Sequence, residues 1–385
     1  MNKLTITRTN GNVPKTLAGE DHISGLIFYT DVLPTGFTDA DRIKAISTID
    51  RAEALGITAD ATEWAVRMMH YQLSEIFRVN AGISLYVGIF EPTTDFTEIK
   101  TLQNFADGSL RQVGIWDGTR TLTDENIQAI QKVATDLDGE NAPLSVLYAP
   151  KVEDVTALTD MSAAGLERVS VCIAQAGSGT GAELYSEATN TDKASVTAVG
   201  VMLAVMSLAS VHQAISWVGG FPTGISVAAF GDGTLLRSLD KATIEALDGY
   251  RYLFLQTYPG IAGTYINDSH TLDVATSDYA YIEAVRVMDK AVRGVRVNVT
   301  PELGGNVYID ADTGKLQSYS CTHLETVAGR ALEDMEKAGE ISGWSCEVDP
   351  EQDVLSTSTI EMVMKIVQVG VARTINVKIG FSKTV

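Results

Sequence analysis

The sequence predicts an α/β (α+β) protein, a layered α/β domain followed by a C-terminal unit of different order, and three observations carry that prediction. From about residue 25 to 260, apolar runs of strand length alternate with helical patterns, as in helices layered on a mostly parallel sheet. After Gly260 the order becomes helix, hairpin, helix, strand, strand. Both chain ends read as amphipathic strands with no local partner. With 385 residues and 45% apolar content the chain can bury a sizeable core.

Taken in order, Leu4 and Ile6 alternate with Lys3, Thr5 and Thr7 before a turn signal at Asn10-Gly11, which predicts a short N-terminal strand. Strands are expected over residues 26–30, 83–90, 112–116, 144–148, 169–174 and 252–256. Helices are expected between them. Residues 39–55 place Ala40, Ile43, Ile46 and Ile49 at helical spacing, open on a Thr38/Asp41 capping pattern and stop at Gly56. Residues 61–77, 125–137 and 195–211 follow the same logic. No charged residue occurs between Lys193 and Asp232, and half of residues 194–211 are Ala, Ser, Gly or Thr. Without a flanking basic cluster or aromatic belt, this stretch predicts a buried core helix rather than a stable membrane insertion.

In the C-terminal unit, residues 278–293 form a helix with Tyr281, Ala284, Val285, Met288 and Val292 on one face. Glu283/Arg286 and Asp289/Arg293 read as surface pairs on it. A hairpin-like segment contains NVYID (residues 306–310) and the turn residues ADTGK. A second helix, residues 323–338, lines up Leu324, Val327, Ala328, Ala331, Leu332 and Met335 and ends at Gly339. Ile360, Met362, Met364 and Ile366 then alternate, Gly370 offers a bend, and residues 373–383 read as a final strand. That strand has Ile375, Val377, Ile379 and Phe381 on one face and Thr374, Asn376, Lys378 and Ser382 on the other. The chain divides into an N-terminal arm (1–20), an α/β domain (21–259), a C-terminal domain (260–372) and a C-terminal arm strand (373–385).

The net charge of −20 argues against nucleic acid as a partner, because phosphate binding needs a basic surface. Residues 1–18 carry Lys3, Arg8 and Lys15 without an acid, and residues 354–385 also sum to +3, which leaves −26 on the body. Such ends favour salt-sensitive contact with the body of another copy, or keep strand edges soluble. Cys172, Cys321 and Cys346 are widely spaced and form no C-x-x-C, as expected of reduced cysteine. The opening MNKLTITRTNGNV has no apolar core, so no signal peptide is expected.

GSGTGA, residues 177–182, follows the strand VSVCIA and formally fits a dinucleotide fingerprint. The following ELYSEATNTDK has no apolar helical face, so a surface loop is the expectation. No other phosphate-loop, zinc-protease or hydrolase motif occurs. The five histidines are scattered, and acid pairs such as Asp39/Asp41 and Glu333/Asp334 sit where helices ordinarily carry acids. No catalytic residue, metal ligand or cofactor is singled out.

IKAISTIDRAEALGI followed by AGISLYVGIF, then QTYPGIAGTYINDSHTL, then YIEAVRVMDKAVRGVRV, LEDMEKAGEISGW and MKIVQVGVARTINVKIGF resemble, in order and spacing, the contractile tail sheath proteins of bacteriophages and related contractile injection systems. The resemblance implies a compact sheath subunit with an outer α/β domain and an inner domain completed by both chain ends. It implies hexameric rings stacked around a tail tube, with the tube, baseplate and tail terminator proteins as partners. The particle would be a virion tail or injection device assembled in the bacterial cytoplasm. It would need no nucleotide, because a metastable extended lattice shortens and drives the tube through the target envelope. The resemblance further implies that arm strands, through Leu4, Ile6, Arg373, Ile375, Val377, Ile379 and Phe381, pair with a neighbour's inner domain. The helix over residues 323–338 would face the tube through Glu325, Arg330, Glu333 and Lys337. Two alternatives stand beside this: a Rossmann-like nucleotide-dependent enzyme, suggested by the α/β alternation and GSGTGA, and a non-contractile virion structural protein.

Overall fold

Ser24–Tyr29 (β1) is buried at every position, as an apolar strand flanked by parallel neighbours and covered on both faces must be. The computed structural model describes residues 20–382. In it the chain runs from β1 through Ile43–Ile46 (β2), the helices Ile49–Ala54 (α1) and Trp64–Val79 (α2), and Leu85–Phe90 (β3). Glu98–Phe105 (α3), Gln112–Thr121 (β4), Asp124–Gly139 (α4), Ser145–Lys151 (β5) and Val169–Val171 (β6) follow. These strands form a six-stranded sheet in the order β2-β3-β1-β4-β5-β6. β1 lies between two parallel partners, with Ser24 opposite both Leu85 and Gln112. β2 alone runs antiparallel, on β3. The mostly parallel sheet expected from the alternation is therefore present.

After β6 the chain leaves this sheet. Ala174–Ala176 (β7) is followed by Thr180–Ser186 (α5) and Val199–Leu208 (α6), and β7 pairs antiparallel with Ala228–Phe230 (β8). Lys241–Gly249 (α7), capped by the Asp240 carboxylate accepting from the Thr243 amide at 2.7 Å, leads to a short ladder of Leu255–Gln256 (β9) and Tyr265–Ile266 (β10). The expected strand over 169–174 is thus split between two sheets. The strand expected over 252–256 touches the main sheet only through a parallel bridge from Cys172 to Leu253.

α6 explains its charge-free sequence. Residues 199–207 are all buried, because α6 lies between the sheet and α2. Gly200 permits the approach: a Cβ there would stand 2.7 Å from the Gln72 carbonyl oxygen of α2. The buried Gln72 amide closes the helix start, donating to the Thr197 carbonyl at 2.6 Å and accepting from the Gly200 amide at 3.0 Å. The expected core helix is found, and no helix among the described residues is long and apolar enough to cross a membrane.

The helix expected over 39–55 is only half correct. Ile43 and Ile46 are both buried, but on a strand, where they face Gly88 and Leu85 of β3. Two apolar residues three apart suit a helix face as well as the two ends of a short strand, and cross-strand pairing decides the matter. Thr38 and Asp41 form a tight turn rather than a cap. The cap is Thr48, whose hydroxyl accepts from the Arg51 amide at 3.2 Å, and α1 stops at Gly56 in a left-handed conformation, φ +84.

The C-terminal unit comprises Ile282–Val299 (α8), Ser318–Lys337 (α9), Ile341–Glu347 (β11), Val354–Thr357 (α10) and Val363–Gln368 (β12). β11 and β12 make a two-stranded antiparallel sheet, with Trp344 opposite Ile366. It packs on α8 and α9 through Val287, Ala291, Leu332, Met335 and Ile341. The hairpin-like segment is a single bridge, Ile309 to Leu316, around a turn in which the Asp310 carboxylate accepts from the Thr313 amide at 2.9 Å.

One expectation fails in this unit. Glu283, Arg286 and Asp289 are buried rather than paired at the surface, because the polar face of α8 lies against the α/β body. Residues 373–382 form no strand within the chain, since no edge of the chain's own sheets receives them.

Candidate assembly surfaces

The polar face of α8 joins the two parts of the molecule by ion pairs. The Arg168 guanidinium donates both ends of its fork to the Asp289 carboxylate at 3.0 Å, which balances a charge removed from water. Burial raises the Asp289 pKa and the Arg168 charge opposes the shift. Burial likewise pulls the Arg286 guanidinium down to about 10, which leaves it charged at neutral pH, and it donates to the Ala209 carbonyl at 3.1 Å. Next to it, Lys290 donates to the Asp21 carboxylate at 2.7 Å and to Glu340 at 2.6 Å, and Arg293 donates to Asp21 at 2.9 Å. Burial works against the Asp21 anion, but Lys290, Arg293 and Arg286 outweigh it and hold its pKa below the ordinary value.

Of the arm residues named from the sequence, Leu4 and Ile6 lie outside the described residues. Arg373 is ordered by several partners: its Nε donates to Asp268 at 3.0 Å, its Nη2 donates to the Ser269 hydroxyl at 3.1 Å and to Glu283, and its guanidinium carbon lies 3.4 Å from the Tyr281 ring centroid. Beyond it the side chains turn outward. Ile375 is 77% exposed, Val377 72% and Ile379 93%, and Phe381 is fully exposed. Four alternating apolar side chains in water are an unfilled contact surface.

A receiving surface of the same chemistry lies on the C-terminal unit. Each strand of the β11/β12 sheet has one edge without a strand on it among the described residues. Beside β12 an apolar cleft of about 380 Å³ is lined by Met288, Val292, Val295, Met362, Met364 and Ile366. The sequence pattern marked Met288 and Val292 as apolar but not their exposure.

On α9, Arg330, Glu333 and Lys337 are exposed on one face, with Lys337 and Glu333 paired at 2.6 Å. Glu325 is not on that face: it is half-buried, and its carboxylate accepts from the Val348 amide at 2.9 Å at the end of β11. The stripe instead continues through His323 to Tyr319, which is 70% exposed and packs against Tyr308 with centroids 6.4 Å apart. The i, i+4 spacing from 319 to 323 is the signal that identifies them. The helix starts at Ser318, one turn before the expected boundary.

Gly177 and Gly181 of GSGTGA serve packing, whereas Gly179 turns the chain at φ +68 with open space beside it. A helix does open within the motif, contrary to expectation, but it has only the seven residues of α5. Its buried positions are Gly181 and Leu184, too few to register as a face in the sequence. A Cβ at Gly181 would meet the Tyr71 hydroxyl at 2.7 Å, and one at Gly177 would meet Leu235 at 2.7 Å. Doubly wound sheets take ligands at the carboxyl ends of the strands where the strand order reverses, here between β1 and β4. That crevice is filled by Arg120, which donates to the buried Asp117 carboxylate at 2.9 Å and lies 5.0 Å from the Tyr29 ring and 5.1 Å from the Phe96 ring. Tyr148 donates to the same carboxylate at 2.8 Å.

Two family models match the chain, the N-terminal domain of DUF2586 over residues 1–270 and the C-terminal domain of DUF2586 over residues 278–385. A putative tail sheath protein of Haemophilus phage HP1 (strain HP1c1) is 30% identical over 118 residues, which is 29% of this chain and 30% of that protein. The chain thus spans less than a third of the length of the curated relative it matches. Among solved structures, a chain of the anti-feeding prophage helical sheath in the contracted state superposes with a TM-score of 0.60 at 14% identity, covering 98% of this chain and 100% of that one. A chain of the sheath complex of PVC, an extracellular contractile injection system, also in the contracted state, gives 0.63 at 12% identity with 99% of both chains covered. A chain of the anti-feeding prophage baseplate gives the same values. The likeness to these three is one of fold.

Proposed function

Since this chain belongs to the DUF2586 family and shares the fold of contractile sheath chains over nearly its whole length, we propose that it is the structural subunit of a contractile tail sheath. The observation that carries this reading is the outward row Ile375, Val377, Ile379 and Phe381 beside a two-stranded sheet with open edges and an apolar cleft. Donation of residues 374–382 to the β12 side of a second copy would pair the open backbone groups and bury the apolar row. Burying those side chains is worth about 1.5 to 3 kcal/mol each, enough to hold copies together after the cost of association. The N-terminal arm, with Leu4 and Ile6, would make the second inter-subunit strand.

In this reading copies form hexameric rings that stack around a tail tube, and baseplate and terminator proteins bound the stack. Arg330, Glu333 and Lys337 of α9, with Tyr319 and His323, form the face offered to the tube. Strand pairing keeps the lattice connected while its remaining interfaces slide, so shortening of the lattice drives the tube through a target envelope. The role is mechanical rather than catalytic, and the plugged crevice at the end of β1 and β4 supports that side of the reading. The free cysteines and the particle type support assembly in a bacterial cytoplasm.

The test is electron microscopy and sedimentation of the purified chain across concentration and salt, beside a chain lacking residues 374–385. Tubes or stacked rings for the full chain and a folded, non-polymerising truncated chain are expected. Polymer formed equally by the truncated chain would sink the strand-donation reading.

A further inference from the structure

Arg373, before the outward C-terminal segment, and Asp21, near the start of the described chain, are both held by ion pairs on one helix. At the start of α8, Glu283 binds Arg373, the last residue before the outward C-terminal segment, and Tyr281 at the helix cap stacks under the same guanidinium. Seven and ten residues on, about 10 and 15 Å along the axis, Lys290 and Arg293 grip Asp21, the second residue of the described chain. Between these points α8 is locked to the α/β body by the fork of Arg168 on Asp289 and by Arg286 on the Ala209 carbonyl. The charges alternate along the helix, acid for the C-terminal root and base for the N-terminal root, so each arm can take only its own place.

We propose that α8 is the common anchor for the roots of both arms, with Arg373 and Asp21 as the positioning residues. Arg373 balances the buried Glu283 carboxylate, and the same contacts hold the root of an exposed segment at several points. Holding the root removes orientations that the donated strand would otherwise lose on pairing, which lowers the entropic cost of the contact. The inference rests on the strand-donation reading for its purpose but not for its first test.

That first test reads the isolated subunit. Spin labels at Asn376→Cys and Lys241→Cys, in a Cys346→Ser background, report the distance from the arm to the body. A narrow distribution is expected with Arg373 in place, a broad one with Arg373→Ala, and an intermediate one with Arg373→Lys, which keeps the charge but not the fork. Identical distributions for all three overturn the proposal, whatever assembly does. The second test reads polymer. Arg373→Ala and Asp21→Asn are each expected to raise the critical concentration about tenfold in chains that still melt cooperatively, and Arg373→Lys to recover part of the loss. Wild-type critical concentrations for both, in a protein whose assembly is abolished by removing residues 374–385, overturn the anchor and leave strand donation standing. Should Arg373→Ala lose its cooperative melt, the Lys variant carries the comparison, and wild-type behaviour in both readouts then counts against the proposal.

Discussion

In the α/β body, β1 has hydrogen-bonded neighbours on both sides and no exposed residue, whereas β12 in the C-terminal unit has one partner and leaves Val363 and Val367 more than half exposed. The body carries the large core, from Leu26 through α6 to Phe254, and spends its polar groups internally, as Gln72 and Asp117 do. The C-terminal unit divides its apolar residues between two small clusters, an open cleft and an outward tail. The difference teaches that one region closes its core within the chain while the other leaves apolar surface open, the surface that the proposed strand donation would cover. Two-stranded sheets are marginal alone, so this one depends on its packing against α8 and α9.

The sharpest way to break the comparison is to remove residues 374–385. Loss of all polymer is expected, with the thermal midpoint of the subunit within about 2 °C of the full chain, because Ile375, Val377, Ile379 and Phe381 are exposed in the subunit. A collapsed melt would show instead that the segment completes its own chain. Next, Leu203→Ala, at a fully buried position of α6, should cost about 2 to 5 kcal/mol in urea denaturation. The same truncation at Ile375 should leave that measurement unchanged while weakening assembly.

Val292→Asp sharpens the contrast within α8, since Val292 lines the open cleft. The subunit should lose less than about 0.5 kcal/mol, while the critical concentration rises by about tenfold or more through a charge forced into an apolar contact. The smallest effect concerns pH. Because the Asp21 pKa is depressed below 3.8 in the folded chain, its contribution is complete above that value and is lost as pH falls through the folded pKa. Asp21→Asn should therefore flatten the acid limb of stability below about pH 4, by less than about 1 kcal/mol, and leave the profile above pH 5 parallel to wild type.

How far the sequence reaches follows from what pattern encodes. Period and burial are local, so the runs at 24–29 and 145–151, the small-residue helix at 199–208 and the alternating tail were all readable from residue spacing alone. The sequence also determined that the tail would be apolar on one face, whether or not anything covered it. Tertiary structure decided the rest. Ile43 and Ile46 became a strand because β3 offered an edge 40 residues away, which no local propensity records. Glu325 left the exposed face of α9 because β11 offered it the Val348 amide. Pattern named the charges of α8 but not their destination: a polar helix face looks the same whether it meets water or Arg168, 121 residues distant from Asp289, and only the fold brings that countercharge within 3.0 Å.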